Sequence, residues 1–254
     1  MPHSYFMAQL QRIVIAPDQL GNGQINLTFP QKHYLSKVLR LQNNDSFIAM
    51  DGMGKWWLAK LNQGRAGIIQ SLQVETELPV PVTLIAALPK GNGFDEVVRC
   101  CTEIGVTCIT LVLSDRTLLK PSLQKLARWY RIAKEAAEQS ERAFIPTIIG
   151  PVSFDNAILK NTAKYSYICE CRDYYPHLKQ IVSSSYVTSE IVIAIGPEGG
   201  WTETEIQLAI NNGFQPVSLG KRILRAVTAP ILALSVITGE LESTVRHSMH
   251  QGTL

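Results

Sequence analysis

Two glycine-rich stretches hold the residues of this chain best suited to chemistry: IGPEGGWTETE, from Ile195 to Glu205, and LGKRILRAVTAP, from Leu219 to Pro230. Gly196, Gly199 and Gly200 permit backbone conformations and close approaches that a side chain would block, so the first loop can wrap a ligand with its own N–H and C=O groups. The same glycines would also serve a plain tight turn between a strand and a helix. The loop lacks the GxGxxG order of a dinucleotide fold and the lysine-serine ending of a phosphate loop. Glu198 aimed at a pyrophosphate would repel it, so a ligand with an amino group or a positive charge fits better. In the second loop Gly220 allows another tight turn, and Lys221, Arg222 and Arg225 set three cations beside it. They suit phosphate or RNA contact at the mouth of a site, or else a solvated basic turn.

The elements that must position these loops are readable around them. IVIAI (191–195) is a buried strand running into the first loop, and Thr202 with Glu205 forms a capping-box pattern that opens a helix closed by Gly213. Thr228, Ala229 and Pro230 open a last helix whose Leu232, Val236 and Leu241 make an apolar stripe. Upstream, the runs VTLIAAL, CITLVLS and YSYICEC alternate with amphipathic helices, which predicts a largely parallel α/β sheet. One helix repeats Phe94, Val97, Val98, Cys101 and Ile104 at three-and-four spacing and stops at Gly105; the next opens at Ser122 and runs to about Arg142.

Before ETELPVPV (75–82) the pattern is different. Short β runs (LQRIVIA, QINLTF, SFIAM, KWWLAKL, AGIIQSLQV) are separated by turn signals such as Gly21-Asn22-Gly23 and Asp51-Gly52, with one short helix near 30–41. This predicts a small β-barrel domain over 1–77 and an α/β domain over 78–254. The barrel interleaves Lys32, Lys37, Arg40, Lys55, Lys60 and Arg65 with Tyr34, Trp56 and Trp57, a mixture suited to backbone contact and base stacking in RNA, although strand alternation puts one of the two tryptophans in the core. His33 fits an RNA contact or a structural role better than a general base.

Bulk properties exclude more than they indicate. The 254 residues are 46% hydrophobic and 18% charged with a formal net charge of +3, which rules out a disordered tail or a strongly basic nucleic-acid coat. No apolar run approaches the roughly 18 residues of a membrane span, and MPHSYFMAQLQR lacks the order of a secretory signal, so a cytoplasmic protein is expected. The five cysteines (100, 101, 108, 169 and 171) form no CxxC pair and have no histidine at ligand spacing, so no metal is expected and most read as small buried hydrophobes.

The two loops, taken with PKGNGFDEVVRCCTEIGV and EAAEQSERAFIP, resemble the ribosomal RNA small subunit methyltransferase E family of the SPOUT class, and HYLSKVLRLQNND with DGMGKWW is similar to that family's PUA-like N-terminal barrel. The resemblance covers essentially the whole chain. It implies a trefoil-knotted methyltransferase domain that binds S-adenosylmethionine, acts on N3 of a uridine in small-subunit ribosomal RNA and works as a homodimer, with the last helix partly covered by the second subunit. Carried over residue by residue, the cofactor contacts fall on Ile195, Gly196, Glu198, Gly199 and Gly200 and on Leu219, Gly220, Ile223, Leu224, Arg225 and Ala229. His33, Lys37, Arg40, Lys55 and Arg222 would contact RNA. Arg225 and Arg142 are the candidates for stabilising the uridine anion, because a guanidinium stays charged and can bond a base edge. No general base stands out.

The chain departs from the family pattern at Val227, where glutamate is usual, and at Cys100, where lysine is frequent. Two rival readings follow: a SPOUT methyltransferase acting on another RNA base, and a non-catalytic RNA-binding or ribosome-assembly protein that keeps the knotted fold.

Overall fold

The computed structural model describes residues 10–251 except 64, 119, 173 and 186, with the side chains of 244–251 also outside the description; most of the N-terminal stretch read for a secretory signal therefore lies outside the described residues. The chain separates into two compact units, Met1–Glu77 with Ala137–Ile145, and Leu78–Ala136 with Pro146–Leu254. The segment 137–145 was expected in the second domain and is instead part of the first.

In the first unit, β1 (Arg12–Val14), β2 (Leu20–Gly21), β3 (Gln24–Ile25), β4 (Ser46–Met50), β5 (Trp56–Asn62) and β6 (Arg65–Leu72) form one sheet in the order β1-β4-β5-β6-β3-β2, curled into a half-barrel. Strand alternation gives it two apolar faces. Phe47 and Ala49 pack with Ile13, Ile15, Ile25 and Leu35 on one side, while Ile48 and Met50 pack with Val14, Trp56 and Leu72 on the other. Ile145 joins the second cluster, and the Val14 N–H donates to Glu138 Oε1 at 2.6 Å. These contacts are why residues 137–145 belong to the barrel.

The short helix α1 (Phe29–His33) opens on Thr28, whose Oγ1 accepts from the Gln31 N–H, and continues as a π-turn over Tyr34–Val38. It leaves Phe29, Tyr34 and Val38 exposed beside Lys32, His33, Lys37 and Arg40.

The second unit is built on six parallel strands: β7 (Val82–Ala87), β8 (Cys108–Leu113), β9 (Thr147–Ser153), β10 (Tyr165–Cys169), β11 (Ile191–Ile195) and β12 (Gln215–Val217), in the order β12-β10-β11-β7-β8-β9. The interior strand β11 is buried at all five positions, as a sheet covered on both faces requires. Edge strand β9 was not read from the sequence. It contains Gly150 and Pro151, a strand-breaking pair tolerated at an edge, and its register against β8 shifts at Thr110/Val112. Helices α2 (Phe94–Ile104), α3 (Leu123–Gln139), α4 (Phe154–Leu159), α5 (Leu178–Ser184), α6 (Glu203–Asn211) and α7 (Thr228–Gln251) complete the described elements. Gly105, at φ 112°, ends α2 in the left-handed conformation expected of a C-terminal glycine. Helix α7 packs on α2 and α5, burying Ala233, Leu234, Ile237 and Leu241 and leaving Leu232 and Val236 half-exposed. No described helix is long and apolar enough to cross a membrane.

Candidate active site

Because β10, β11 and β12 are parallel neighbours, the loops that follow them emerge side by side at one edge of the sheet. The carboxyl edge of an open parallel sheet is where such folds bind ligands. A solvent-open cleft lies there. Cys169, Glu170 and Cys171 line it from the first loop, Ile195, Gly196, Pro197, Gly200 and Trp201 from the second, and residues between Leu219 and Ala229 from the third.

Two glycines shape the cleft. Gly200 has φ 71° and Gly220 φ 114°, values that L side chains rarely adopt. A Cβ at Gly200 would meet nothing within 4 Å, and one at Gly220 would come no closer than 3.9 Å to Arg222 and 4.0 Å to His177. Both therefore leave open space that a side chain would occupy, on a wall of the cleft. Gly196 answers a different need, since a Cβ there would fall 3.2 Å from the buried indole of Trp201. That indole packs on Phe154 with ring centroids 4.5 Å apart, and its buried Nε1 has no hydrogen-bond partner.

The loop after β11 is fixed by hydrogen bonds to segments distant in sequence. Arg116 Nη1 donates to the carbonyls of Gly199 at 2.7 Å and Trp201 at 3.0 Å, and the arginine stem lies 3.1 Å from where a Gly199 Cβ would be. Glu198 Oε1 accepts from the Lys90 N–H at 2.8 Å. The expected capping box forms: Thr202 Oγ1 accepts from the Glu205 N–H and Glu205 Oε2 accepts from the Thr202 N–H. Glu205, 4% exposed, spends its other oxygen on the Asp115 N–H at 2.9 Å.

The loop after β12 is held by its backbone. Ser218 donates its N–H to Pro176 O and accepts from the Leu178 N–H, Gly220 donates to Ser218 Oγ, and the carbonyl of Arg225 accepts from the N–H groups of Thr228 and Ala229 at the start of α7. The side chains of Lys221, Arg222, Ile223 and Arg225 stay exposed, and no described residue bonds the Arg225 guanidinium. Val227 packs onto Gly93 of the GNG turn so closely that a Cβ on Gly93 would lie 2.6 Å from its Cγ2.

Of the residues proposed from sequence to hold the cofactor, Ile195, Gly196, Gly200, Leu219, Gly220, Leu224 and Ala229 line the cleft; Glu198, Gly199, Ile223 and Arg225 do not, although all lie in the same two loops. Arg222, expected at RNA, also lines it. Arg142 lies in the barrel unit. It is 3% exposed, and its guanidinium donates to Glu77 Oε2 at 2.5 Å, so it closes a structural ion pair instead of offering a free cation. His33, Lys37, Arg40 and Lys55 are exposed on the barrel unit, and Trp56 is the tryptophan taken into its core.

Sequence reading missed Arg116, Glu170 and His177. Glu170 is 8% exposed, and its Oε1 accepts from the N–H groups of Cys171 at 2.7 Å and Arg172 at 2.9 Å. His177 caps α5, with Nδ1 accepting from the Lys179 N–H. The Cys169 thiol is pushed up by burial and further by the charge of Glu170, which keeps it neutral and unsuited to nucleophilic work. No group of three or more His, Cys, Asp or Glu among the described residues is placed to hold a metal.

A glycine-walled cleft on a parallel sheet, in a chain that also carries a β half-barrel, matches one class of enzyme. The family model for an RNA methyltransferase domain matches residues 76–238, and that for an RNA methyltransferase PUA domain matches residues 27–66. The chain is 49% identical over 245 residues to the ribosomal RNA small subunit methyltransferase E of a Synechocystis species, covering 94% of this chain and 80% of that one. Its fold is similar to the crystal structure of the Neisseria gonorrhoeae ribosomal RNA small subunit methyltransferase E bound to S-adenosyl methionine, with TM-score 0.81, 33% identity and coverage of 91% and 98%. A Legionella pneumophila protein solved with the same cofactor aligns at TM-score 0.80, 28% identity and the same coverage. This chain belongs to the ribosomal RNA small subunit methyltransferase E family.

Proposed function

We propose that this protein binds S-adenosylmethionine in the three-loop cleft and methylates N3 of one uridine in small-subunit ribosomal RNA, acting in the cytoplasm as a homodimer. The observation that carries the reading is the pair Gly200 and Gly220, two positive-φ glycines whose missing side chains leave the cleft open. The residues present fit the cofactor. Glycine walls admit close approach, Ile195, Leu219, Leu224 and Ala226 offer apolar surface to an adenine ring, and Glu170 offers a polar contact. When bound, the cofactor supplies an electrophilic methyl group.

The chain's own work is then to hold the base and its negative charge, because uridine N3 becomes a nucleophile only when its proton leaves. We assign this to Arg225, on the loop after β12, which does not line the cleft itself but whose guanidinium no described residue bonds; Arg142 is already engaged by Glu77. The exposed Phe29, Tyr34, His33, Lys37 and Arg40 of the barrel, with Lys55, and Lys221 and Arg222 of the loop, supply stacking and phosphate contacts. The half-exposed Leu232 and Val236 of α7 supply an apolar stripe for the second subunit. Calorimetry with S-adenosylmethionine, paired with mass mapping of ribosomal RNA from a deletion strain, tests the reading. Cofactor binding and the loss of one N3-methyluridine are expected; a folded protein that binds no cofactor would mark a non-catalytic RNA-binding protein.

A further inference from the structure

Glu170 is a carboxylate on the wall of the cleft. It sits at the end of β10, between β11 and β12, with its N–H donating to Val217 O at 3.0 Å. One oxygen, Oε1, is locked by two backbone N–H groups, which fixes the carboxylate's orientation. The neighbouring Cys171 thiol, a weak donor, is a further contact of the carboxylate. A mostly buried carboxylate on the wall of a cleft, held by two backbone N–H groups and a weak thiol donor, still has acceptor capacity for a stronger donor that enters the cleft. The donor groups of an adenosyl cofactor are its ribose hydroxyls, its adenine amine and the ammonium of its methionine end.

We propose that Glu170 grips the ribose diol of the cofactor, a contact that rests on the cofactor reading above. Two considerations select the diol. Vicinal hydroxyls are a common partner of a fixed carboxylate in nucleotide sites, where two neutral donors meet one anion without a second charge having to shed its water. The charged methionine end is better served at the open mouth of the cleft, where it keeps its water. The diol also places the adenine against the apolar wall of Leu219, Leu224 and Ala226.

The full-length protein and its Glu170→Gln variant test this by calorimetry with S-adenosylmethionine, 5′-methylthioadenosine, which keeps the ribose and lacks the ammonium, and the 2′,3′-dideoxy form of that nucleoside. Glutamine keeps an oxygen for the two backbone N–H groups and turns the other atom into a donor. The variant is expected to lose about 10- to 100-fold in affinity for the first two ligands alike. The dideoxy ligand is expected to bind the wild type more weakly by a similar factor and to lose nothing further in the variant. Three results overturn the proposal: unchanged affinities, a loss confined to S-adenosylmethionine, which marks an ammonium contact, or an equal loss on all three ligands, which marks a merely structural role. If the variant fails to show a cooperative melt, the wild type decides alone, since equal affinity for the nucleoside and its dideoxy form overturns the contact. Failure of the wild type to bind S-adenosylmethionine at all would instead sink the cofactor reading.

Discussion

The loops after β11 and β12 contain similar glycines and meet at one cleft, yet they are restrained in opposite ways. The first is clamped to segments distant in sequence: the Arg116 side chain donates to the carbonyls of Gly199 and Trp201, and the region's own Glu198 and Glu205 accept from the backbone N–H groups of Lys90 and Asp115. The second ties its backbone to Pro176, Leu178 and its own helix start, and leaves Lys221, Arg222, Ile223 and Arg225 in solvent. A clamped loop loses little entropy when a small ligand binds, whereas uncommitted cations are available to a charged macromolecule. The contrast suits the first loop to the proposed cofactor and the outer face of the second to the proposed RNA.

Substitutions can break or sharpen this division. Arg225→Ala is expected to lower the single-turnover rate at saturating cofactor by about two to three orders of magnitude with cofactor affinity retained, because it removes charge stabilisation made mainly in the transition state. Arg225→Lys should restore part of the rate. A dimeric, cofactor-bound Arg225→Ala enzyme with a wild-type rate would remove this residue from the chemistry. Gly200→Val acts on the other loop. Strain at φ 71° and a side chain in the cleft should raise the cofactor dissociation constant by about 100-fold or more, with only a modest drop in melting temperature, and calorimetry beside a thermal melt reads both.

Arg116→Ala tests the clamp itself. Removing hydrogen bonds of 2.7 and 3.0 Å should raise KM for the cofactor by about 10-fold while changing kcat much less, and lysine should rescue in part. An equal fall in kcat would show that the clamp also serves the chemical step. The smallest effect is expected from Lys221→Ala with Arg222→Ala: RNA affinity should fall a few-fold and the slope of log affinity on log salt should flatten by about one to two, as read from filter binding over a salt series. A salt slope identical to wild type would place RNA elsewhere.

What was legible in the sequence follows the same division. The glycine turns, the Thr202–Glu205 capping box and the start of α7 depend on residues a few positions apart, and they formed where local chemistry put them. The clamps were invisible because their two ends are far apart in the chain. Arg116 reaches Gly199 and Trp201 across 83 and 85 positions, and no periodicity links them. A usable signal was present nonetheless: Ser114-Asp115-Arg116 follows a buried strand, so it had to emerge at the same carboxyl edge as the glycine loops. Edge strand β9 was obscured by Gly150-Pro151, and Arg142 was read as a free cation because nothing local announced Glu77.

The return of residues 137–145 to the first unit bears on how the protein is made. A ribosome that has released only the first 77 residues has not yet supplied Ile145 for one apolar face of the half-barrel, Glu138 for the Val14 N–H, or Arg142 for Glu77. Domains usually fold in the order in which they are synthesised. Here the amino-terminal unit draws on a stretch encoded well inside the second, so a gene cut after codon 77 yields a half-barrel that lacks Ile145 from one apolar cluster and the partners of the Val14 N–H and Glu77.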